Sequence, residues 1–569
     1  MGKSVVTYGN IKLVSPYMIS SLVELRIIRR LNAHVSLYFT GVIPEDKKDT
    51  YVEKAKANDT IEVTEVDSEG GNVRSLFKGL VSEVAVRSVR GTYYFEVSGL
   101  SHSCKMDVTL KNRSFQNKSM QYKDLVKKVA ADYPGTDFID TASNSSQING
   151  LIVQYNETDW QFLKRMASHF GSVLVPYANS DKPKFWFGLP KGKNGDIPED
   201  FQYSISRNLG KFSSLSGNNT QGIDDCDFTY YEAESDTFLE PGDKVKFKDR
   251  NLVVAKSTAF ITNGTLKYEY VLSEEKGLKK ARSVNDLLTG ASIEGKVIDV
   301  QSDTVRVHLD IDKEQKKDEA YWFKYVTNYT AEGNSGWYCM PQKDDHVKLY
   351  LPTAEEGEAV VKGSVRKCGK SQPKTADPDT RYLGTNHGKW MKLGQKDVMF
   401  TASEGKMFIN LDEDKGVEIQ SDQPITIKSD KNFSINVDKS LSIAAEDNIK
   451  FICNSSSLVM NGETYFSGSR VEVDGYIKAP ISLGDIMDIA KDALLAPVDA
   501  ALGMAAMTAS VGSAVACGDY GEAALTVASC LPVTGTAIQV ASSTSNIMNS
   551  SSGFQESGEG TFTTGGMRA

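Results

Sequence analysis

Between Lys415 and Gly462 the sequence repeats every eight residues, and a chain with that period is confined to very few folds. Read as octads, the run is KGVEIQSD, QPITIKSD, KNFSINVD, KSLSIAAE, DNIKFICN and SSSLVMNG. The third and fifth places hold Val417 and Ile419, Ile425 and Ile427, Phe433 and Ile435, Leu441 and Ile443, Ile449 and Phe451, then Ser457 and Val459. Eleven of these twelve places are apolar. Apolar residues two apart, with a polar one between, mark a strand that buries one face, because successive side chains point to opposite sides. The eighth place reads Asp422, Asp430, Asp438, Glu446, Asn454 and Gly462, which is turn chemistry at each corner.

An octad has a contour of only about 26 Å at roughly 3.3 Å per residue, too short to wrap a closed coil around its own core. Three identical chains wound about one axis would each supply one face per layer and form a triangular prism. A single-chain solenoid with two octads per coil is the alternative. The Gly-rich, Asp-containing nonapeptide of calcium-binding rolls is absent. Stacked aliphatic and Phe rows, worth roughly 1.5–3 kcal/mol per buried side chain, make a stiff, narrow rod. Such a rod suits piercing or scaffolding.

At 569 residues the chain is too long for one core and should hold three to five domains. Its net charge of −9 argues against a nucleic-acid surface, which needs a basic face to displace counterions. Seven scattered cysteines without a CxxC pair argue against a disulfide framework or a zinc knuckle and fit assembly in a reducing cytoplasm. MGKSVVTYGNIKLVSPYM lacks the charged lead and continuous apolar run of a secretory signal.

Residues 1–285 read as mostly strand, with alternating stretches at Leu22–Ile28, Val35–Phe39, Ile61–Val66, Val81–Val86 and Tyr93–Val97. Helical spacing appears at Tyr122–Tyr133. A second helix is predicted to start at Thr158, which forms a capping-box spacing with Gln161 ahead of the apolar stripe Trp160, Leu163, Ala167 and Phe170. Residues 291–366 show about five short strands, the count of an oligonucleotide/oligosaccharide-binding (OB) barrel. Ten Lys and Arg stand there against fourteen Asp and Glu, so a structural joint is expected in place of a nucleic-acid site. Residues 367–398, with Pro373, Pro378, Gly384, Gly388 and Gly394, read as a connector. Residues 399–480 form the octad-repeat needle with its flanking strands. Residues 481–569 turn rich in Ala, Ser, Gly and Thr and hold two basic residues against eight acidic ones. An Ala-rich helical hairpin is expected there, with a membrane-inserting hairpin as the alternative.

The stretch LIVQYNETDWQFLKRMASHFGSVLVPY resembles the hub signature of VgrG and phage late-control proteins, the tail hubs and spikes of contractile injection systems. The matching residues are Gln154, Tyr155, Glu157, Asp159, Trp160, Phe162, Arg165 and Ala167. LFKGLVSEV (Leu76–Val84) and RSFQNKSMQYKDLV (Arg113–Val126) sit where that family has its Phe-x-Gly strand and its Ser-Phe-Gln turn. The resemblance implies a mainly β, multidomain, trimeric spike: two related hub β-barrels over residues 1–285, an OB-like barrel over 291–366, a triple-stranded β-helix, and a C-terminal extension. It implies as partners two further copies of the chain, a tube (Hcp-like) protein, baseplate proteins, a PAAR-like tip or effector cargo at the C-terminal end, and transiently the target cell envelope.

No HExxH, His–Cys cluster or Gly-x-Ser-x-Gly elbow occurs. The run from Gly363 to Ser371 has one residue too many between its glycines for a phosphate loop. No catalytic residue, cofactor or metal is therefore expected. A secreted β-solenoid enzyme acting on polysaccharide and a surface adhesin are the rival readings. The first needs an export signal and clustered carboxylates, the second an anchor and no tube-matching hub.

Overall fold

In a computed structural model, residues 6–197, 202–218, 220–329, 336, 338–367, 374 and 376–467 are described. The expected Ala-rich extension, residues 481–569, lies outside them, as do Trp337 and Pro373. The chain is mainly β and divides into two compact units, residues 1–422 and 423–569.

In the first unit, strands drawn from residues 11–101 and from residues 194–273 join into one twelve-stranded sheet. The seam is the antiparallel pairing of Ser21–Arg30 with Arg250–Thr262, in which Ile28 faces Thr258 and Arg26 faces Phe260. The two halves, expected as two barrels, share one core that runs from Phe39 and Phe77 in the first to Tyr268 and Leu272 in the second. The alternating stretches read from sequence all lie within strands of this sheet. Gly79 marks the tightest crossing in it. A Cβ there would meet the Leu100 carbonyl oxygen at 2.2 Å and the Phe77 ring at 2.4 Å, so the Phe-x-Gly pattern is a packing requirement.

A second core gathers around two helices, Tyr122–Ala130 and Asp159–Ser168, with the small sheet Leu174–Pro176, Lys184–Phe187 and Asp137–Asp140. A third fills a closed five-stranded barrel made of Ser292–Gln301, Thr304–Leu309, Trp322–Val326, Val360–Ser364 and His346–Tyr350. Alternate residues Val305, Val307 and Leu309 are wholly buried inside it, as half-buried strands require.

Strand pairing resumes at Arg381, inside the stretch read as a connector. Arg381–Gly384, Trp390–Leu393, Asp397–Ser403, Met407–Asp412 and Gly416–Gln420 form an antiparallel meander. Gly388, at φ +72°, turns the first hairpin, and Thr385 N–H donates to the Lys389 carbonyl across it at 2.8 Å. Linker and hairpin use the same glycines, which is why composition alone did not separate them.

The described part of the second unit ends in a three-stranded antiparallel sheet, Ile449–Cys453, Ser456–Met460 and Thr464–Ser467. Among the described residues, 421–448 contain no strand. The octad period predicts strands there, yet a strand exists only where a ladder partner does, and these octads have none among the described residues.

Candidate functional site

The signature residues lie on one strand and one helix, Ile152–Thr158 and Asp159–Ser168, which run between the helical core and the barrel. Strand Leu110–Phe115 pairs antiparallel with Ile152–Thr158, and between Arg113↔Gln154 and Lys111↔Glu157 two residues, Tyr155 and Asn156, oppose the single Asn112. Asn156 takes the left-handed conformation at φ +47°, which asparagine tolerates, and its N–H donates to Asn112 Oδ1 at 2.8 Å. Side chains along Ile152–Thr158 serve both sides. Ile152 packs into the helical core, and Val153 into the barrel core.

The helix that follows starts where the sequence placed it. Thr158 caps it, accepting from Gln161 N–H at 3.1 Å, while Thr158 N–H donates to Gln161 Oε1 at 3.2 Å. Asp159, the first helical residue, is fully buried. Its carboxylate accepts from Lys111 Nζ at 2.6 Å, Gln154 Nε2 at 2.9 Å and the Tyr133 hydroxyl at 2.7 Å, and is paired with Arg113. Burial alone would raise its pKa. The Lys111 bond, the Arg113 charge and the bonds from Gln154 and Tyr133 outweigh that and hold it below its ordinary value. Tyr133 is pushed the other way, to about 12, by burial and by its bond to Asp159.

Two turns along, Arg165 is only 4% exposed. Its guanidinium reaches Glu157 Oε1 at 2.6 Å, the Val153 carbonyl at 2.7 Å and Glu356 Oε1 on the barrel at 2.7 Å. One buried cation thus serves two buried carboxylates. For Glu157, burial pushes the pKa up, Arg165 pulls it down, and the Glu356 charge adds to the rise; the balance is upward.

The Ser-Phe-Gln turn supplies the other half of the clamp. Ser114 N–H donates to Asp312 Oδ1 at 2.7 Å and its hydroxyl to Oδ2 at 2.5 Å. Gln116 donates to the Val307 carbonyl at 3.1 Å and accepts from Tyr321 N–H at 3.1 Å. Burial raises the Asp312 pKa against these bonds. Apolar contacts fix the rest. Phe162 stacks on Phe115 with ring centroids 5.7 Å apart, Trp160 is buried against His34 and Phe185, and Ala167 lies in the same core. Tyr155 packs on the barrel core, and its carbonyl accepts from Asn285 Nδ2 at 2.7 Å.

Of the signature residues, Tyr155 and Arg165 reach the barrel and Glu157 is held by Arg165, while Gln154, Asp159, Trp160, Phe162 and Ala167 brace the strand and helix on the other side. Sequence reasoning missed their partners Lys111, Tyr133, Asp312 and Glu356, which carry no local pattern of their own. Arg113 stood at the head of the quoted turn, but without an assigned role.

The predicted needle positions present the opposite picture. Val417, Ile419, Ile425, Ile427, Phe433, Ile435, Leu441, Ile443 and Phe451 are 50–71% exposed in the single chain. Ile449 and Val459 are half-buried.

Residues 54–175 match the family model described as the phage tail baseplate hub (GPD). No curated protein sequence matches the chain. Among solved structures, an E. coli protein, c3393, described as a component of the type VI secretion system with similarity to the T4 tail proteins gp27 and gp5, is 12% identical. It covers 62% of this chain and 100% of its own, with a TM-score of 0.45. A chain of the lidded Francisella PdpA–VgrG complex is 10% identical over 72% of this chain and 79% of its own, with a TM-score of 0.46. The 43 kDa tail protein of prophage MuSo2 from Shewanella oneidensis is 13% identical over 48% and 99%, with a TM-score of 0.37. The matched segment, 54–175, holds both the Ser-Phe-Gln turn and the capped helix of the joint, and over that segment the chain is similar to the phage tail baseplate hub family.

Proposed function

We propose that this chain is the spike of a contractile injection machine, uniting hub, barrel and needle in one polypeptide that works as a homotrimer. The observation that carries the reading is that Val417, Ile419, Ile425, Ile427, Phe433, Ile435, Leu441, Ile443 and Phe451 are all exposed in the single chain. So many exposed apolar side chains at one sequence period call for a partner of the same period, and two further copies of the same octads supply one. The role is mechanical. Sheath contraction drives the tube, and the trimer at its front concentrates force on a small area of the target envelope. The joint at Arg165 and Ser114 transmits that force from hub to barrel, so the needle does not fold back under load.

The hub face would meet a tube (Hcp-like) protein and the surrounding baseplate, and residues 481–569 a PAAR-like tip or effector cargo. The spike would assemble in the cytoplasm and leave only when the machine fires. Light scattering on the purified chain tests the assembly: three times 62.4 kDa is expected, and a mass of 62.4 kDa overturns the trimer. Deleting 481–569 is expected to leave that mass ratio intact while abolishing cargo capture. Loss of the trimer on deletion would make the segment an assembly element instead.

A further inference from the structure

The meander from Arg381 to Gln420 is turned inside out in the single chain. Its cross-strand register sorts the side chains onto two faces. On one face Leu383, Met391, Phe400, Ile409 and Ile419 stand side by side across all five strands. A second row on that face runs from Leu393 through Val398 and Leu411 to Val417, and only its outer end, Arg381, is polar. Leu383, Leu393, Phe400, Ile409 and Leu411 are 41–47% exposed, and no side chain of these rows belongs to a buried core of the described residues. The opposite face buries Thr401 and Asn410, whose Oγ1 and Oδ1 atoms find no hydrogen-bond partner among the described residues. A sheet that hides its hydroxyl and amide while presenting its aliphatic and aromatic side chains is built for a setting that covers the second set.

The last strand of the meander, Gly416–Gln420, is also part of the first octad, and Val417 and Ile419 end the two rows. Neighbouring strands stand about 4.8 Å apart, so a partner seated on Val417 and Ile419 meets Leu411 and Ile409 next, and then Val398 and Phe400. The apolar face is therefore continuous with octad positions that the trimeric reading places between copies.

We infer that this face is a docking surface for two further copies of the same chain, so that the three-chain interior begins at Leu383, upstream of the octads. The inference rests on the trimeric reading of the octads and carries it into residues 381–412, part of which composition marks as a connector. The rows themselves set the chemistry of the occupant. They offer no side-chain hydrogen-bonding group and no charge before Arg381, whereas three identical rows about one axis bury apolar against apolar and leave no row unmatched. Arg381, exposed on the edge strand, marks where the contact stops.

Light scattering on the full-length protein, with a charge placed on each face in turn, tests the surface. The wild type is expected at three times 62.4 kDa and Phe400→Asp at 62.4 kDa, a threefold fall, because three carboxylates would otherwise be buried in one layer. Gln420→Asp, on the opposite face, is expected to keep the wild-type mass. Circular dichroism of Phe400→Asp should stay near that of the wild type, since the side chain is exposed in the single chain. If Phe400→Asp does not fold, Leu393→Asp, on another strand of the same face, decides in its place with the same expected mass. A wild type at 62.4 kDa removes the trimeric reading and this inference with it. A trimeric wild type whose Phe400→Asp variant stays trimeric removes this inference alone and gives the face to a different partner. Loss of the trimer in Gln420→Asp overturns it equally, since the contact would then not be confined to the apolar face.

Discussion

Arg165 and Glu356 are 191 positions apart in sequence and 2.7 Å apart in space, a buried ion pair that bolts the capped helix of the hub to the barrel. Its guanidinium also holds Glu157, so removing the arginine strands two carboxylates in the interior. Arg165→Met is therefore expected to cost about 3–5 kcal/mol. Glu356→Gln, which leaves the Arg165–Glu157 pair in place, is expected to cost less. Urea denaturation of both variants checks the order. A smaller loss in Arg165→Met than in Glu356→Gln would sink this account of the joint.

Asp159 makes the joint acid-sensitive. Its pKa is lowered on folding, so its contribution is present above the ordinary carboxylate value of 3.8 and is lost as pH falls through the lower folded value. Glu157, raised on folding, has the opposite sign: its contribution is present below the ordinary 4.5 and lost as pH rises through the folded value. Asp159→Asn should consequently flatten the fall in stability below about pH 4 while lowering stability at neutral pH, since the amide is a poorer partner for Lys111 and Arg113. Denaturation midpoints across pH 2–7 read this out. An unchanged acid limb would exclude Asp159 as its source.

The octad face is tested by charge. Ile427, 71% exposed in the single chain, becomes interior if three copies wind together. Ile427→Asp would then forfeit roughly 1.5–3 kcal/mol of apolar burial per chain, and three carboxylates would crowd one layer. The expected result is a light-scattering mass near 62.4 kDa with near-native circular dichroism from the hub and barrel. An undisturbed trimer would mean that Ile427 does not face the axis.

Gly79→Ala probes the crossing in the twelve-stranded sheet. The new methyl has no room against the Leu100 carbonyl and the Phe77 ring, so a loss of about 1–3 kcal/mol is expected, seen as a lower melting temperature. An unchanged melting temperature would show that the strands part freely at this point.

Local chemistry was legible and distant chemistry was not. Thr158 and Gln161 are three residues apart, and the capping box they form is drawn by the helix itself, so its start could be read directly. The five strands of the barrel were countable because each carries its own alternation. Glu356 and Asp312 looked like two acidic residues among fourteen, since what singles them out is a partner nearly two hundred positions upstream. Gly384 and Gly388 announced a turn but not whether strands flank it, and the meander from Arg381 was hidden for that reason. The octads gave the period plainly. Which chain completes it is not written in any one copy.

The strand Ile152–Thr158 has one further consequence. Because Ile152 lines one interior and Val153 the other, hub and barrel share a wall instead of meeting at a seam. A genetic crossover between them would strip each compartment of part of its lining. A chimera that keeps both interiors must therefore be joined downstream of Ser364, where the last barrel strand ends, and take everything upstream as a single part.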